Sequence, residues 1–181
     1  MDNFHEMLLR RHSIRRYTDQ PIDGNDVKTI LEAALLSPSS KSKRPWQFIV
    51  VEDKEMLQKL SQAKPAGSIS LKNTGLAVVV AGSPEESDMF VEDCTVAALM
   101  MQLQAEALGI GSCWVQIRGR FTADGENSET YVQELLGIPY STIVECIVTF
   151  GYSAENRKPV DPEKLLWEKV HIGEWKQEQA E

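Results

Sequence analysis

Between Val91 and Leu108 the chain carries an unbroken apolar run, Val96-Ala97-Ala98-Leu99-Met100-Met101, followed by Leu103, Ala105, Ala107 and Leu108. The apolar residues go nearly all the way round a helix, so no single stripe can face a core while the rest faces water. Such a helix demands cover on every side. Two architectures supply that cover: burial between a sheet and other helices of the same chain, or sharing with a second protomer, a homodimer being the commonest closed oligomer.

Around this helix the pattern alternates. Gln47-Phe48-Ile49-Val50-Val51, entered through Trp46, Leu76 to Ala81, Ser112 to Ile117 and Ile143 to Phe150 are short runs of β-branched, aromatic and small apolar residues that read as buried strands. Phe4, Met7 and Leu8 mark a short helix over Asn3 to Arg10. Val27, Ile30, Leu31, Ala34 and Leu35 mark a second, with Asp23 or Asn25 as cap. It stops at Ser37-Pro38, because proline disfavours helical geometry in the residue before it. Asp53 caps a third, carrying Met56, Leu57 and Leu60, and Ser128 to Leu136 is a fourth, with Tyr131, Val132, Leu135 and Leu136 inward and Gly137 and Pro139 closing it. Lys64 to Thr74 reads as loop. Pro162 is expected to open one short helix carrying Leu165 and Leu166, and the polar residues beyond Trp175 to fray. Strands separated by helices, with no repeat and no linker, make an α/β or α+β domain.

At 181 residues, 42% hydrophobic and 25% charged, residues 1–181 fit one domain with a sizeable core, or one protomer of an obligate oligomer. The N-terminus lacks a basic segment followed by an apolar run, and no stretch is long enough to span a membrane, so a soluble, cytoplasmic protein is expected. Cys94, Cys113 and Cys146 lie inside apolar runs without the close spacing of a zinc or redox pair, and read as reduced core residues. His5, His12 and His171 are not paired at ligand spacing, so no metal site is expected. A net charge of -8 argues against broad nucleic-acid binding, which rests on basic residues displacing counterions. Neither a P-loop, a dinucleotide fingerprint nor a nucleophile elbow is present.

Against that acidic background, Arg10-Arg11-His12-Ser13-Ile14-Arg15-Arg16-Tyr17 concentrates cations around a serine. Arginine offers phosphate a rigid bidentate fork and serine a short hydrogen bond, so the segment suits a phosphorylated ligand. It equally suits a solvated basic face closing the first helix, where positive charge complements the helix C-terminus. Two further donor-rich segments are Ser37 to Arg44, pinned by Pro38 and Pro45 and anchored by Trp46, and the polar loop Gly151 to Pro159 with its Arg157-Lys158 pair.

Taken together, Arg11-His12-Ser13-Ile14-Arg15 before a helix, Ser37-Pro38-Ser39-Ser40 closing it, Pro45-Trp46-Gln47-Phe48 entering a strand and Ala107-Leu108-Gly109-Ile110-Gly111-Ser112-Cys113-Trp114 resemble the FMN-dependent nitroreductase family in order and spacing. The resemblance implies an α+β fold, a central β-sheet wrapped by helices, in an interlocked homodimer with one FMN at each of two subunit-interface sites. It implies that Arg11 and Ser13 bind the FMN phosphate and ribityl chain, with His12 in the same cofactor-binding segment, and that Arg15 lies beside the flavin pyrimidine. Pro38, Ser39 and Ser40 would cover the flavin from the partner subunit. Val115 and Gln116 match the stretch whose backbone faces the isoalloxazine, including an amide that donates to flavin N5, and Arg157 and Lys158 match further phosphate cations. Ser42 stands where many relatives carry Asn and Arg44 where some carry Gln, while Lys41 and Lys43 add charge. The family's second pyrimidine-side cation has no assigned position within Lys64 to Thr74.

The activity implied is a ping-pong oxidoreductase: NADH or NADPH reduces the flavin and departs, and a nitroaromatic or quinone takes its place. The flavin carries the redox chemistry, which accounts for the lack of any catalytic acid, base or nucleophile in the chain. Two alternatives stand beside it. One is a flavoenzyme of the same fold with another reaction, such as a dehydrogenase or dehalogenase. The other is a non-catalytic binder of a phosphorylated ligand or nucleic acid through the basic segment. Irregular composition places a substrate lid at Arg118 to Glu126 and in the loop after Lys64.

Overall fold

A computed structural model of the chain describes residues 3–175. Four strands, β1 (Trp46–Val51), β2 (Leu76–Gly82), β3 (Gly111–Gln116) and β4 (Ile143–Gly151), form one sheet in the order β1-β2-β4-β3. Each neighbouring pair is antiparallel. That pairing makes the fold α+β, because a doubly wound α/β sheet is parallel.

Strand β2 shows why its sequence is continuously apolar. Leu76, Val78 and Val80 face α2 (Gly24–Leu35) and α5 (Phe90–Ala107), while Ala77, Val79 and Ala81 face α3 (Lys54–Leu60), α4 (Ile69–Asn73) and α6 (Ser128–Leu136). Successive side chains point to opposite faces, so a strand covered on both sides has no solvent side to mark with polar residues. Between Val80 and Ala81 the register against β4 shifts from Cys146 to Val144, which leaves Glu145 as the extra residue of a bulge. Its carboxylate is buried, and it accepts from Arg118 Nε at 2.5 Å and Gln116 Nε2 at 3.3 Å.

Helix α5 does not reach all-round burial within one copy of the chain. Cys94, Ala97, Ala98, Met101 and Ala105 pack on the sheet and α2. On the remaining side Thr95 and Ala107 are exposed, Val96, Met100 and Leu103 are half-covered, and Leu99 is 46% exposed. Among the described residues no element lies over that side.

Other elements differ from the sequence reading at particular points. Asp23, not Asn25, caps α2, accepting from Asn25 N–H at 2.8 Å. In α1 (Phe4–Arg10) only Met7 is buried. The loop Lys64 to Thr74 contains α4, held by burial of Leu71 and by Ser68 Oγ, which donates to Ser61 O at 2.8 Å. Five residues are too few for local propensity to signal a helix. In α6, Val132 is buried whereas Tyr131, Leu135 and Leu136 are only partly so, and Ser128 and Gln133 point inward instead. The expected helix after Pro162 is two 3-10 turns, Pro162–Lys164 and Trp167–Lys169, with Leu165 and Leu166 exposed. The fraying expected beyond Trp175 concerns residues 176–181, which lie outside the described residues.

The three cysteines are free and buried. Among the described residues no group of His, Cys, Asp or Glu is assembled to hold a metal ion, and no helix is long and apolar enough to cross a membrane.

Candidate functional site

At Arg11 the backbone leaves helical geometry for an extended conformation, and the basic segment runs along the outer edge of β3. Ser13 bridges Ser112 in parallel, and Ile14 N–H donates to Ser112 O at 2.9 Å. Close approach is possible because two facing residues lack Cβ atoms. A Cβ at Gly111 would sit 2.8 Å from Ile14 Cγ1, and one at Gly151 would sit 2.7 Å from Tyr17 Cδ1. Tyr17 Oη donates to Ile14 O at 2.7 Å and lies 2.8 Å from Thr149 Oγ1, and burial pushes its hydroxyl well above the ordinary tyrosine value.

The loop after β4 locks onto the same segment. Thr18 N–H donates to Tyr152 O at 2.8 Å and Ala154 N–H to Arg16 O at 3.0 Å. Glu155 Oε1 accepts the backbone N–H groups of Arg15 at 3.0 Å and Arg16 at 2.9 Å, while Oε2 takes Arg157 Nε and Nη2 at 2.9 and 2.7 Å. Burial opposes ionisation of Glu155, but the Arg157 guanidinium and then the Arg15 amide bring its carboxyl below the usual range. His12 Nε2 lies 2.8 Å from Lys158 O, a second tie between the segments. Arg11, His12, Ser13 and Arg15 are therefore gathered beside Arg157 and Lys158. Arg15 Nη1 donates to Ser13 O at 3.2 Å. The Arg11 guanidinium, Ser13 Oγ and Lys158 Nζ make no hydrogen bond or ion pair with protein groups among the described residues.

The backbone of β3 continues this donor surface. Ile117 N–H donates to Glu145 O, in register with the β3–β4 pairing. In an antiparallel ladder the hydrogen-bonded residues alternate, so Val115 turns its N–H to β4, whereas Trp114 and Gln116 turn theirs to the open edge beyond Ser13. The two residues of the Val115-Gln116 pair thus have different roles. The Gln116 side chain is occupied, its Oε1 accepting Trp114 Nε1–H at 2.9 Å and its Nε2 donating to Arg118 O at 3.1 Å.

Pro38, Ser39, Ser40 and Ser42 are not brought to this cluster within one copy. Ser40 N–H donates to Asp93 Oδ1 at 2.7 Å, at the start of α5, whereas Arg11 and His12 act electrostatically on Glu106, near its end. These points are separated by about 20 Å at 1.5 Å rise per residue. The loop itself is strained: Lys41, Ser42 and Arg44 have φ of 51°, 55° and 51°, left-handed values that cost a non-glycine residue about 1–2 kcal/mol each. Ser39 Oγ, accepting Arg44 N–H at 3.0 Å, helps hold it. Such strain clusters at ligand clamps. At its two ends, Ser37 Oγ and Trp46 Nε1 are buried without a hydrogen-bond partner.

Sequence reasoning missed three residues. Glu155 and Asp93 are single carboxylates in unremarkable contexts, and only their long-range partners reveal them. Lys64 has burial, then the Arg120 guanidinium, holding its ammonium below the ordinary value, and Cys113 feels the charge of both Lys64 and Arg15. Lys64 lines a cleft of about 460 Å³ together with Ser68, Lys72, Thr122, Glu126 and Tyr131, where the loop after Lys64 meets the expected lid segment.

Comparison with known proteins gives the chain its relatives. The model of the nitroreductase family matches residues 8–81 and 69–152. A protein of Archaeoglobus fulgidus, provisionally named as an NADH dehydrogenase/NAD(P)H nitroreductase, is 37% identical over 97% of this chain and 100% of its own. The NADPH-flavin oxidoreductase of Vibrio harveyi is 27% identical over 86% of this chain and 68% of its own. The solved structure of an FMN-dependent nitroreductase from Clostridium difficile superposes with a TM-score of 0.92 at 43% identity, covering 94% of this chain and 99% of that one. A family model that spans most of the chain, with a relative 37% identical over nearly all of it, shows that the chain belongs to the nitroreductase family.

Proposed function

We propose that this chain is an FMN-dependent, cytoplasmic oxidoreductase that passes electrons from NADH or NADPH to a nitroaromatic or quinone by a ping-pong cycle, as a homodimer of single-domain subunits. The observation that carries the reading is the convergence of Arg11, Ser13, Arg15, Arg157 and Lys158 on the open edge of β3. That donor set fits FMN: a fork, a hydroxyl and cations for a phosphate, then an outward amide for a ring acceptor. FMN supplies hydride acceptance and delivery, which no side chain of this chain can perform.

The protein's own residues bind and orient. Arg11 and Ser13 hold phosphate, with Arg157 and Lys158 adding charge, and the Gln116 N–H faces ring nitrogen N5. Arg15 places a fixed positive charge beside the pyrimidine, where it favours negative charge on the reduced ring. Two features support sharing of each site between copies. The loop carrying Pro38, Ser39, Ser40 and Ser42 is held some 20 Å along α5 from the cations of its own copy, and α5 presents an uncovered apolar side around Leu99. A two-fold partner along that side brings its loop over the cations. The cleft at Lys64 lies where the acceptor enters.

Purified protein is expected to carry yellow FMN, to run as a dimer by light scattering, and to lose its visible flavin absorbance within seconds of anaerobic mixing with NADH or NADPH. Failure to bind supplied FMN would falsify the reading. Bound FMN that neither nicotinamide reduces points instead to a dehydrogenase or dehalogenase.

A further inference from the structure

We infer that Glu155 is the positioning residue that both aims the site's cations and sets the reduction potential of the bound flavin, an inference that rests on the FMN reading above. Glu155 belongs to none of the phosphate- or ring-binding positions, yet it links them. One oxygen accepts the adjacent backbone N–H groups of Arg15 and Arg16, and the other accepts the Arg157 guanidinium as a fork. Its side chain is 6% exposed, covered by the two segments it joins. Its partners lie 139 and 140 residues away in the chain, on the segment carrying Arg11 and Ser13. A carboxylate in this position closes the basic segment onto the loop after β4 and, as a neutral tie cannot, offsets one of the positive charges gathered around the cofactor.

The second effect has a definite sign. Negative charge near the flavin disfavours the extra negative charge of its reduced form, so Glu155 holds the potential down, against the pull of Arg15. Tyr17, in the basic segment, and Cys113, on β3, also feel the Glu155 charge.

Glu155→Gln tests this, because the amide oxygen still accepts the two backbone N–H groups while the charge is removed. The ratio of dissociation constants for oxidised and reduced FMN is expected to rise about tenfold in the variant, a midpoint shift of about +30 mV for a two-electron couple. A purely structural tie predicts weaker binding of both forms with the potential unchanged, and that result overturns the inference. If Glu155→Gln does not fold because its amide cannot satisfy Arg157, the comparison moves to Arg157→Gln against the double variant Glu155→Gln/Arg157→Gln. A higher potential in the double variant supports the inference, and equal potentials overturn it. Wild-type protein that takes up no FMN overturns the cofactor reading and this inference together. Wild-type protein that binds FMN beside a Gln variant of unchanged potential overturns the role of Glu155 alone.

Discussion

Asp93 Oδ1 accepts the backbone N–H of Ser40 at 2.7 Å, and Asp93 Oδ2 lies 3.4 Å from Ser87 Oγ, so one buried carboxylate ties the strained loop after α2 to the first turn of α5. Asp93→Ala leaves the Ser40 N–H without that partner. A loss of about 1–3 kcal/mol in unfolding free energy is expected by urea titration, with weaker FMN retention if, as proposed, this loop covers a partner's site. Unchanged retention would separate the loop from the cofactor.

Gly151 faces the Tyr17 ring so closely that a methyl group would lie within 2.9 Å of Cβ, Cγ and Cδ1. Gly151→Ala is expected to cost about 1–3 kcal/mol through overpacking and to push the basic segment off the sheet edge. Thermal unfolding and FMN titration should fall together. A variant with normal stability and normal FMN affinity contradicts the close-approach argument.

Under the proposed function Arg11 and Arg15 divide the work of the basic segment, one toward phosphate and one toward the ring. Arg11→Ala removes a charge-assisted contact of about 1.5–3 kcal/mol, roughly ten- to a hundredfold in the FMN dissociation constant. Arg15→Ala should act chiefly by lowering the flavin midpoint potential. Equal losses of affinity for both variants, with no change in potential, refute the division.

Leu99 is the most exposed large apolar residue on the uncovered side of α5. Leu99→Arg should raise the dimer dissociation constant more than about tenfold, read by sedimentation, and release FMN in parallel, as the proposed sharing of each site between copies requires. A monomeric variant that keeps its flavin places the whole site in one subunit.

Burial pushes the Cys94 thiol up to about 12 from an ordinary 9.0, and that of Cys146 well above its ordinary value. Above pH 9 the unfolded chain releases these protons while the folded chain keeps them. The stability they contribute is therefore complete below pH 9 and is lost as pH rises toward 12. Urea midpoints should decline steadily above pH 9 in the wild type and less steeply in Cys94→Ala.

What the amino-acid sequence determined by itself is what depends on neighbours along the chain. Strand and helix periods placed all four strands and five of the six helices among the described residues, and the apolar circumference of α5 called for cover from the same chain or from a second copy. Motif order also carried a resemblance to one family, which implies phosphate-binding roles for Arg11, Ser13, Arg157 and Lys158 and a ring-side role for Arg15. Only the tertiary structure decided the antiparallel order β1-β2-β4-β3, the open edge that separates Gln116 from Val115, and the distance between Pro38–Ser42 and the cations of the same copy. It alone exposed Glu155, whose hydrogen bonds to Arg15 and Arg16 join segments with no local period in common. The left-handed backbone at Lys41, Ser42 and Arg44 was equally illegible, because those residue types do not favour it and only the surrounding hydrogen bonds impose it. The physical reason is the same throughout. Periodicity records which side of an element is buried, but not which distant segment covers it.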